Sequence, residues 1–311
     1  MKRLAIISNM RMLLIFLLIN DKELKDIGFI LEENVKIKKL ERVYIIPNNK
    51  NIIDLFINKI KLYFLFCILK RKWNFNKKMD IFGADHINGS NYFLKRFNFY
   101  LLEDGTINYK AEVYIRSIKN ILFSKPKFGV YKNVKKIYLT GLAPIPSKIE
   151  KKVEIINLNK LWRNKTIKEK ERILEIFGFN NKIIKSIEKR SLILYTQPLS
   201  EDGILTEKEK IELYYKIILK YPKEKLILKT HPREITKYEN FFKGIEILKE
   251  NFPAEIFSLL GIEFQKGITI FSTAVLDSAI KEIDFYGTEV HPKLYEKFGS
   301  CDSIMKRNAF L

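Results

Sequence analysis

The sequence predicts an α/β protein built as two doubly wound domains, and three observations lead there. Short apolar runs alternate along the chain with stretches of helical period, the rhythm of strand–helix–strand units. Most of those runs are rich in Ile, Leu and Val and apolar on both faces, as in strands of a parallel sheet covered by helices on each side. The length, 311 residues, suits two domains at roughly 100–200 residues each.

The runs that read as strands are 4–8, 42–46, 80–82, 99–103, 136–139 and 153–156, then 191–196, 225–229, 245–248 and 268–271. The clearest helix covers 206–220. Thr206 can cap it with Glu209 three residues on, and Ile211, Tyr214, Tyr215 and Ile218 share a face. Gly141-Leu-Ala-Pro144-Ile-Pro146 is a turn-rich break, followed by a charged helical stretch over 157–190. We place the boundary there, giving domains 1–155 and 156–311. Neither an internal repeat nor a low-complexity tract is present.

The N-terminus superficially resembles a signal peptide, with Met1-Lys2-Arg3 leading an apolar stretch. Asn9 and Arg11 interrupt it, no small-residue cleavage site follows, and the run 12–19 is far below the ~20 residues that span a bilayer. It reads as a buried strand, 4–8, and a buried helix, 12–18. The aromatic stretch 56–69 is broken or bounded by Lys59, Lys61, Lys70 and Arg71. It reads as an amphipathic helix facing the core, with a membrane surface as the second reading.

Formal net charge is +21, from 57 Lys and Arg against 36 Asp and Glu. Such a field favours polyanions: nucleic acid, anionic membrane or phosphorylated small molecules. A Lys-rich solvated surface from coding bias gives the same number. Nucleic acid is not expected, because zinc-ligand spacing, heptads after a basic stretch and an RNP-like motif are all missing. The two cysteines, Cys67 and Cys301, show no CxxC spacing, which argues against a disulfide framework or a Cys-ligated zinc and fits a reducing cytoplasm.

Four segments carry chemistry. Lys225-Leu-Ile-Leu-Lys229-Thr-His231-Pro232-Arg233-Glu234 runs a strand into a His-Pro turn. Pro232 biases His231 towards extended backbone and ends the strand. A histidine at a strand's carboxyl end, flanked by Lys229 and Arg233, can bind a phosphate or protonate a leaving group. A solvated loop histidine has the same local look. Tyr100-Leu-Leu-Glu103-Asp104-Gly105 sets adjacent carboxylates before a Gly turn, and neighbouring carboxylates tend to raise one pKa, which suits a general base. An ordinary acidic turn is the alternative. Thr196-Gln197-Pro198-Leu-Ser200-Glu201-Asp202-Gly203 repeats that pattern in the second half, with Thr196, Gln197 and Ser200 able to bind a sugar or nucleotide, or simply to lead into the next helix. Phe271-Ser272-Thr273-Ala274 ends a strand in two hydroxyls, where backbone N–H groups favour a phosphate, or where Ser272 is only a cap. Phe252-Pro253-Ala-Glu255 can place a carboxylate at a ribose or base edge.

Together with Gly83-Ala-Asp85-His86 and Asn108-Tyr109, these stretches fall in an order similar to that of the bacterial sialyltransferases of glycosyltransferase family 52, the lipooligosaccharide and capsule type. The acidic-acidic-Gly motif and the later His-Pro motif carry the resemblance, which spans residues 83–274. It implies a GT-B-type fold, two Rossmann-like domains facing a central cleft, with 1–155 on the acceptor side and 156–311 binding the donor. It implies CMP-N-acetylneuraminic acid as donor and a terminal sugar, such as galactose, of a surface glycan as acceptor. It also implies inversion without a cofactor or essential metal, consistent with the lack of an Asp-x-Asp cluster.

For individual residues, the resemblance implies His231 as the group assisting departure of CMP. It implies Thr196, Gln197, Lys229, Pro232, Glu255, Ser272 and Thr273 around the donor, and Asp85 and His86 on the acceptor side. Glu103, Asp104 and Asp202 remain three candidates for the base, with the first two favoured. Ser8-Asn-Met-Arg11 departs from the family, lacking the Pro- and His-containing turn expected there. His291-Pro292 has no flanking cations like those of His231 and reads as structural. Family members known as dimers imply a homodimer, and envelope-glycan synthesis implies a cytoplasmic enzyme peripheral on the inner membrane face. The competing readings are another nucleotide-sugar GT-B transferase, or a non-catalytic basic module that binds membrane or glycan.

Overall fold

The structure is a computed structural model that describes residues 2–35, 37, 39–46, 52–75, 78–87, 90–105, 107–109 and 128–301. The chain divides into two compact units, Met1–Ile176 and Phe177–Leu311.

Among the described residues the first unit holds seven parallel strands: β1 (Arg3–Ile7), β2 (Ile27–Glu32), β3 (Val43–Ile46), β4 (Asp80–Gly83), β5 (Asn98–Leu102), β6 (Val134–Leu139) and β7 (Val153–Ile155). Their order in the sheet is β3-β2-β1-β4-β5-β6-β7. Strands one to three run outward in one direction and four to seven in the other, so the topological switch lies between β1 and β4. Among the described residues its helices are α1 (Met10–Ile19), α2 (Ile52–Lys72), α3 (Ser90–Leu94), α4 (Leu158–Arg163) and α5 (Ile167–Ile176).

The signal-like N-terminus is the middle of this core. β1 is buried from Leu4 to Ile7, and α1 buries Met10 and every residue from Met12 to Leu18. A helix apolar on all sides belongs inside a protein or a membrane. Here Phe16 meets Phe29 and Phe82 edge-on, with ring centroids 5.8 and 5.5 Å away. Asn9 caps α1 by accepting from the Met12 N–H at 2.8 Å. Among the described residues no helix is long and apolar enough to cross a membrane.

The second unit repeats the design with five parallel strands: β8 (Leu192–Tyr195), β9 (Leu226–Lys229), β10 (Glu246–Leu248), β11 (Phe264–Thr269) and β12 (Ile280–Phe285), in the order β10-β9-β8-β11-β12. Its switch point lies between β8 and β11. The helices are α6 (Asn181–Ile187), α7 (Glu207–Ile218), α8 (Glu255–Leu259) and α9 (Pro292–Phe298). In a doubly wound sheet, ligands bind beyond the strands' carboxyl ends at the switch point.

Three expectations change. The unit boundary falls at 176/177, later than 155/156, because α4 and α5 stay with the first unit. Trp162 is buried, α4 packs on α1, and Lys165 Nζ donates to the Asn20 carbonyl at 2.7 Å. Two strands were not anticipated. β2 contains Gly28, which weakens a strand pattern, and β12 is a half-exposed edge strand carrying Lys281, Glu282 and Asp284. The buried face of α7 is also rotated: Lys210, Leu213, Tyr214, Ile217 and Ile218 point inward, and Tyr215 is exposed.

Gly83 ends β4 opposite Ile6 of β1 with φ of 150°. A Cβ there would collide with the Ile6 carbonyl oxygen. The close strand approach brings the loops after β1 and β4 together. Gly83→Ala should therefore lower stability by ~2–4 kcal/mol, the range for overpacking combined with backbone strain. A urea unfolding midpoint unchanged from wild type would refute this tight approach.

Candidate active site

In each unit the predicted residues gather at the carboxyl edge of the sheet, beside the switch point. In the first unit, loops after β1, β4, β5 and β6 contribute. Glu103 follows β5 and is fully buried. Its Oε1 accepts from Arg11 Nη2 at 2.7 Å and Thr140 Oγ1 at 2.7 Å, and its Oε2 from Tyr109 Oη and the Thr140 N–H, both at 2.6 Å. With both oxygens saturated, Glu103 ties four segments together and has no lone pair turned to solvent. Burial and the neighbouring Glu103 charge push the Tyr109 phenol up, so it stays a donor to the carboxylate. The Tyr109 oxygen in turn accepts the N–H groups of Gly141 and Leu142 at 2.9 Å.

Asp104 faces the other way. It accepts from Ser8 Oγ at 3.0 Å, from the Asn9 side-chain amide and from His86 Nε2 at 2.8 Å, and its side chain keeps 15% exposure. Asn9 therefore caps α1 with its oxygen and holds Asp104 with its nitrogen. His86 Nδ1 is buried with no hydrogen-bond partner among the described residues. Glu32, ending β2, sits close enough to feel both charges. Burial raises its pKa, and Asp104 adds to that rise while His86 opposes it. Asp85 is buried and takes a different place from the one expected beside an acceptor. Its two oxygens accept the Phe128 and Gly129 N–H groups at 2.9 and 2.8 Å, and burial raises its pKa.

In the second unit, loops after β8, β9 and β11 lie side by side. The His231 loop is held from beneath by a buried ionic cluster. Lys210 of α7, with no exposed side-chain surface, donates to both Glu201 oxygens at 3.0 and 2.8 Å and pairs with Glu234 at 3.6 Å. Glu234 accepts from the His231 N–H at 2.7 Å, Tyr238 Oη at 2.6 Å and the Thr196 hydroxyl. Glu201 accepts from the Ile235 N–H at 2.9 Å. Burial alone would raise the Glu201 pKa, but the Lys210 and Ile235 hydrogen bonds outweigh it and hold the carboxylate at about 2. Glu234, buried more completely, is shifted upward by that burial.

His231 itself is half-buried. Its Nδ1 accepts the Arg233 N–H at 3.2 Å. An accepting ring nitrogen is unprotonated, so the neutral ring carries its hydrogen on Nε2. Burial lowers its pKa to about 4, with the Arg233 and Lys229 charges assisting and Asp202 and Glu201 opposing. Arg233 closes a fork on Asp202, Nη2 to Oδ2 at 3.0 Å with a second bond from Nη1 to Oδ1. Pro232 lies between these two anchors. Gln197 bridges the switch point: its N–H donates to Tyr214 Oη at 2.7 Å, and its side-chain oxygen accepts the Phe271 N–H at 3.2 Å.

Thr196 is buried on Glu234, and Lys229 is buried with its ammonium on the Glu250 carbonyl at 2.8 Å and over the Phe252 ring at 4.4 Å. Burial pushes the Lys229 pKa down to about 8. Both brace the site from inside, in contrast to the expected contact with a donor. Ser272 caps the turn of helix over Thr273–Leu276 through the Ala274 N–H, Thr273 is exposed, and Glu255 opens α8 half-buried. His291 caps α9 by accepting the Lys293 N–H, a structural role matching its lack of flanking cations.

The two Glu-Asp-Gly turns share one plan. Gly105 and Gly203 have φ of 66° and 68°. In each, the Glu is buried on a cation, Arg11 or Lys210, and the Asp is the more exposed acid.

The sequence profile described as glycosyltransferase family 52 matches residues 24–294. The chain belongs to glycosyltransferase family 52. It is accordingly a glycosyltransferase. This family 52 chain is 46% identical over 305 residues to an uncharacterised protein of Haemophilus influenzae, covering 97% of this chain and 99% of the relative. Its fold is similar to that of a 2,6-sialyltransferase of a Photobacterium species, solved with CMP and lactose. The TM-score is 0.59 at 11% identity, over 91% of this chain and 71% of the other. It also resembles the GT-B domain of a Photobacterium damselae sialyltransferase, with a TM-score of 0.54 at 11% identity over 90% of both chains. A UDP-GlcNAc 2-epimerase of Methanocaldococcus jannaschii shares the fold as well, at 0.52 and 13% identity over 96% and 93%. The fold is thus of the GT-B type, here as two parallel-sheet units.

Sequence reasoning missed Ser8, Asn9, Arg11, Thr140, Glu201, Lys210 and Glu234 as parts of these sites. Two of them left a trace: Arg11 is a cation in an apolar helix, and Lys210 stands in line with Leu213, Tyr214 and Ile217 on the buried face of α7.

Two outcomes follow for this family 52 enzyme. Lys210→Met strands two buried carboxylates, so stability should fall by about 3–5 kcal/mol. Adding Glu201→Gln should recover part of that loss, and urea unfolding of the single and double variants measures it. His231 should titrate near pH 4 by NMR. Because this lies below the unfolded value of about 6.5, the unfolded chain binds the extra proton first. Stability should be full above pH 6.5 and fall as pH drops through 4, and His231→Gln should flatten that slope.

Proposed function

We propose that this glycosyltransferase is an inverting sialyltransferase. It moves N-acetylneuraminic acid from CMP-N-acetylneuraminic acid to a terminal sugar, such as galactose, of a bacterial surface glycan of the lipooligosaccharide or capsule type. The observation that carries this reading is the fixation of His231. Its backbone is locked to Glu234 and its Nδ1 to the Arg233 N–H, which leaves Nε2–H as the ring's donor. Membership of family 52 and the likeness in fold to the Photobacterium enzyme crystallised with CMP and lactose support the choice of donor and acceptor class.

In the reaction, the bond between the anomeric carbon and the CMP phosphate oxygen breaks as an acceptor hydroxyl oxygen bonds to that carbon from the opposite face. The Nε2–H of His231 hydrogen-bonds the departing phosphate oxygen. A phosphate anion nearby raises the imidazole pKa from its low value, so the ring becomes a better proton carrier once the donor is bound. Ser272 and Thr273, in the loop and helical turn after β11, supply hydroxyls to the same phosphate. Glu255 and Gln197 serve the nucleoside.

For the base we choose Asp104. Glu103 is saturated and buried, and Asp202 is forked by Arg233, whereas Asp104 keeps some exposure and is oriented by Ser8, Asn9 and His86. It would take the acceptor hydroxyl proton, with His86 holding its geometry on the acceptor side.

Transfer and donor hydrolysis measured on three variants test this assignment. Asp104→Asn should lose transfer by about 10²–10⁴-fold while still binding CMP. Glu103→Gln should act mainly through weakened folding, and Asp202→Asn should retain base function with weaker donor binding. Loss confined to Asp202→Asn would move the base to the second turn. Full activity in all three would end the mechanism.

A further inference from the structure

The second helix of the first unit, α2, carries a surface that the transfer chemistry does not use. Its inner side is fixed: Leu62, Phe66 and Leu69 are buried, and the Phe66 ring meets Phe93 at 4.8 Å. Its outer side turns Lys61, Phe64, Cys67, Ile68 and Arg71 to solvent, residues three and four apart along one stripe. Phe64 and Ile68 are 64% and 61% exposed. No acidic residue occurs between Asp54 and Asp80, whereas Lys59, Lys61, Lys70, Arg71, Lys72, Lys77 and Lys78 all do.

Beside the stripe lies an open recess of about 710 Å³, lined by Cys67, Lys70, Arg71, Asn74, Phe75, Tyr92 and Arg96. The Arg96 guanidinium stacks over the Tyr92 ring at 4.3 Å. Three cations thus face a polar hollow next to two projecting apolar side chains.

We propose that this face of α2 docks the enzyme on an anionic lipid bilayer. Phe64 and Ile68 would enter the boundary between headgroups and acyl chains. Lys61, Lys70, Arg71 and Arg96 would meet phosphates, their long stems lying along the apolar surface. Charge complementarity selects this occupant: an apolar peptide would leave the cations unmatched, and a second copy of the chain would oppose like charges. The inference rests on this surface alone and not on the identity of the donor.

Co-sedimentation with phosphatidylcholine vesicles, with and without phosphatidylglycerol, tests it on the full chain. Wild type should bind the anionic vesicles, and binding should fall as sodium chloride is raised. Each lost cation should lower partition about fivefold, so Lys70→Glu/Arg71→Glu should cut it by more than about tenfold. Phe64→Ser/Ile68→Ser should also lose binding while keeping the wild-type urea midpoint, since both side chains are exposed. Lys208→Glu/Lys216→Glu, an equal charge change on α7, should bind as wild type. Three results would each overturn the proposal: no vesicle binding, equal binding to neutral vesicles, or equal loss in the α7 control. Lipid-independent dimers that Phe64→Ser/Ile68→Ser converts to monomers would assign the face to self-association instead.

Discussion

The buried ammonium of Lys210 holds the His231 loop of the second unit in place. Two carboxylates cannot share a dry interior without a cation between them. With Lys210 in place, Glu201 and Glu234 stay inside and spend their remaining oxygens on the His-Pro loop. The backbone of His231 and Ile235 and the hydroxyls of Thr196 and Tyr238 all end on that pair. The loop after a strand would otherwise be among the more mobile parts of an α/β protein. Here it is fixed at several points, and a neutral imidazole emerges from it with one nitrogen tied off.

The first unit reaches a similar result with different residues. Arg11 reaches from the first turn of α1 to Glu103, and Glu103 then gathers Tyr109 and Thr140. In both turns the sequence Glu-Asp-Gly divides the labour. The glutamate, with one more methylene, reaches inward to a cation and becomes architecture. The aspartate, on the short arm beside a glycine of positive φ, stays nearer the surface. That division separates Glu103 from Asp104, which adjacency in sequence alone cannot do. The departure at Ser8-Asn-Met-Arg11 is compensated in the same place, since Ser8, Asn9 and Arg11 hold the acidic pair.

Much of the fold was legible because parallel strands buried on both faces announce themselves as apolar runs. β1, β4, β6, β8 and β9 lie close to where those runs suggested. β12 escaped because an edge strand has a wet face and carries charge, and β2 because Gly28 interrupts its run. The catalytic candidates at strand ends were legible through Pro232 and the two glycines, which mark where backbone must turn. Their supports were not. Lys210, Glu201 and Glu234 are charged residues whose value comes from burial, and burial depends on contacts between distant segments. Thr196 and Lys229 show the converse: polar residues next to the motif that read as ligand contacts and turn out to face inward.

The central proposal is that the second unit receives a cytidine monophosphate donor at His231. Calorimetric titration with CMP, CMP-N-acetylneuraminic acid, UDP-sugars and GDP-sugars, in wild type and His231→Ala, measures it most directly. The account predicts that the two cytidine nucleotides bind wild type, that His231→Ala abolishes or sharply weakens that binding, and that the UDP- and GDP-sugars fail to bind either protein. Tight binding of a UDP-sugar without CMP binding would contradict it.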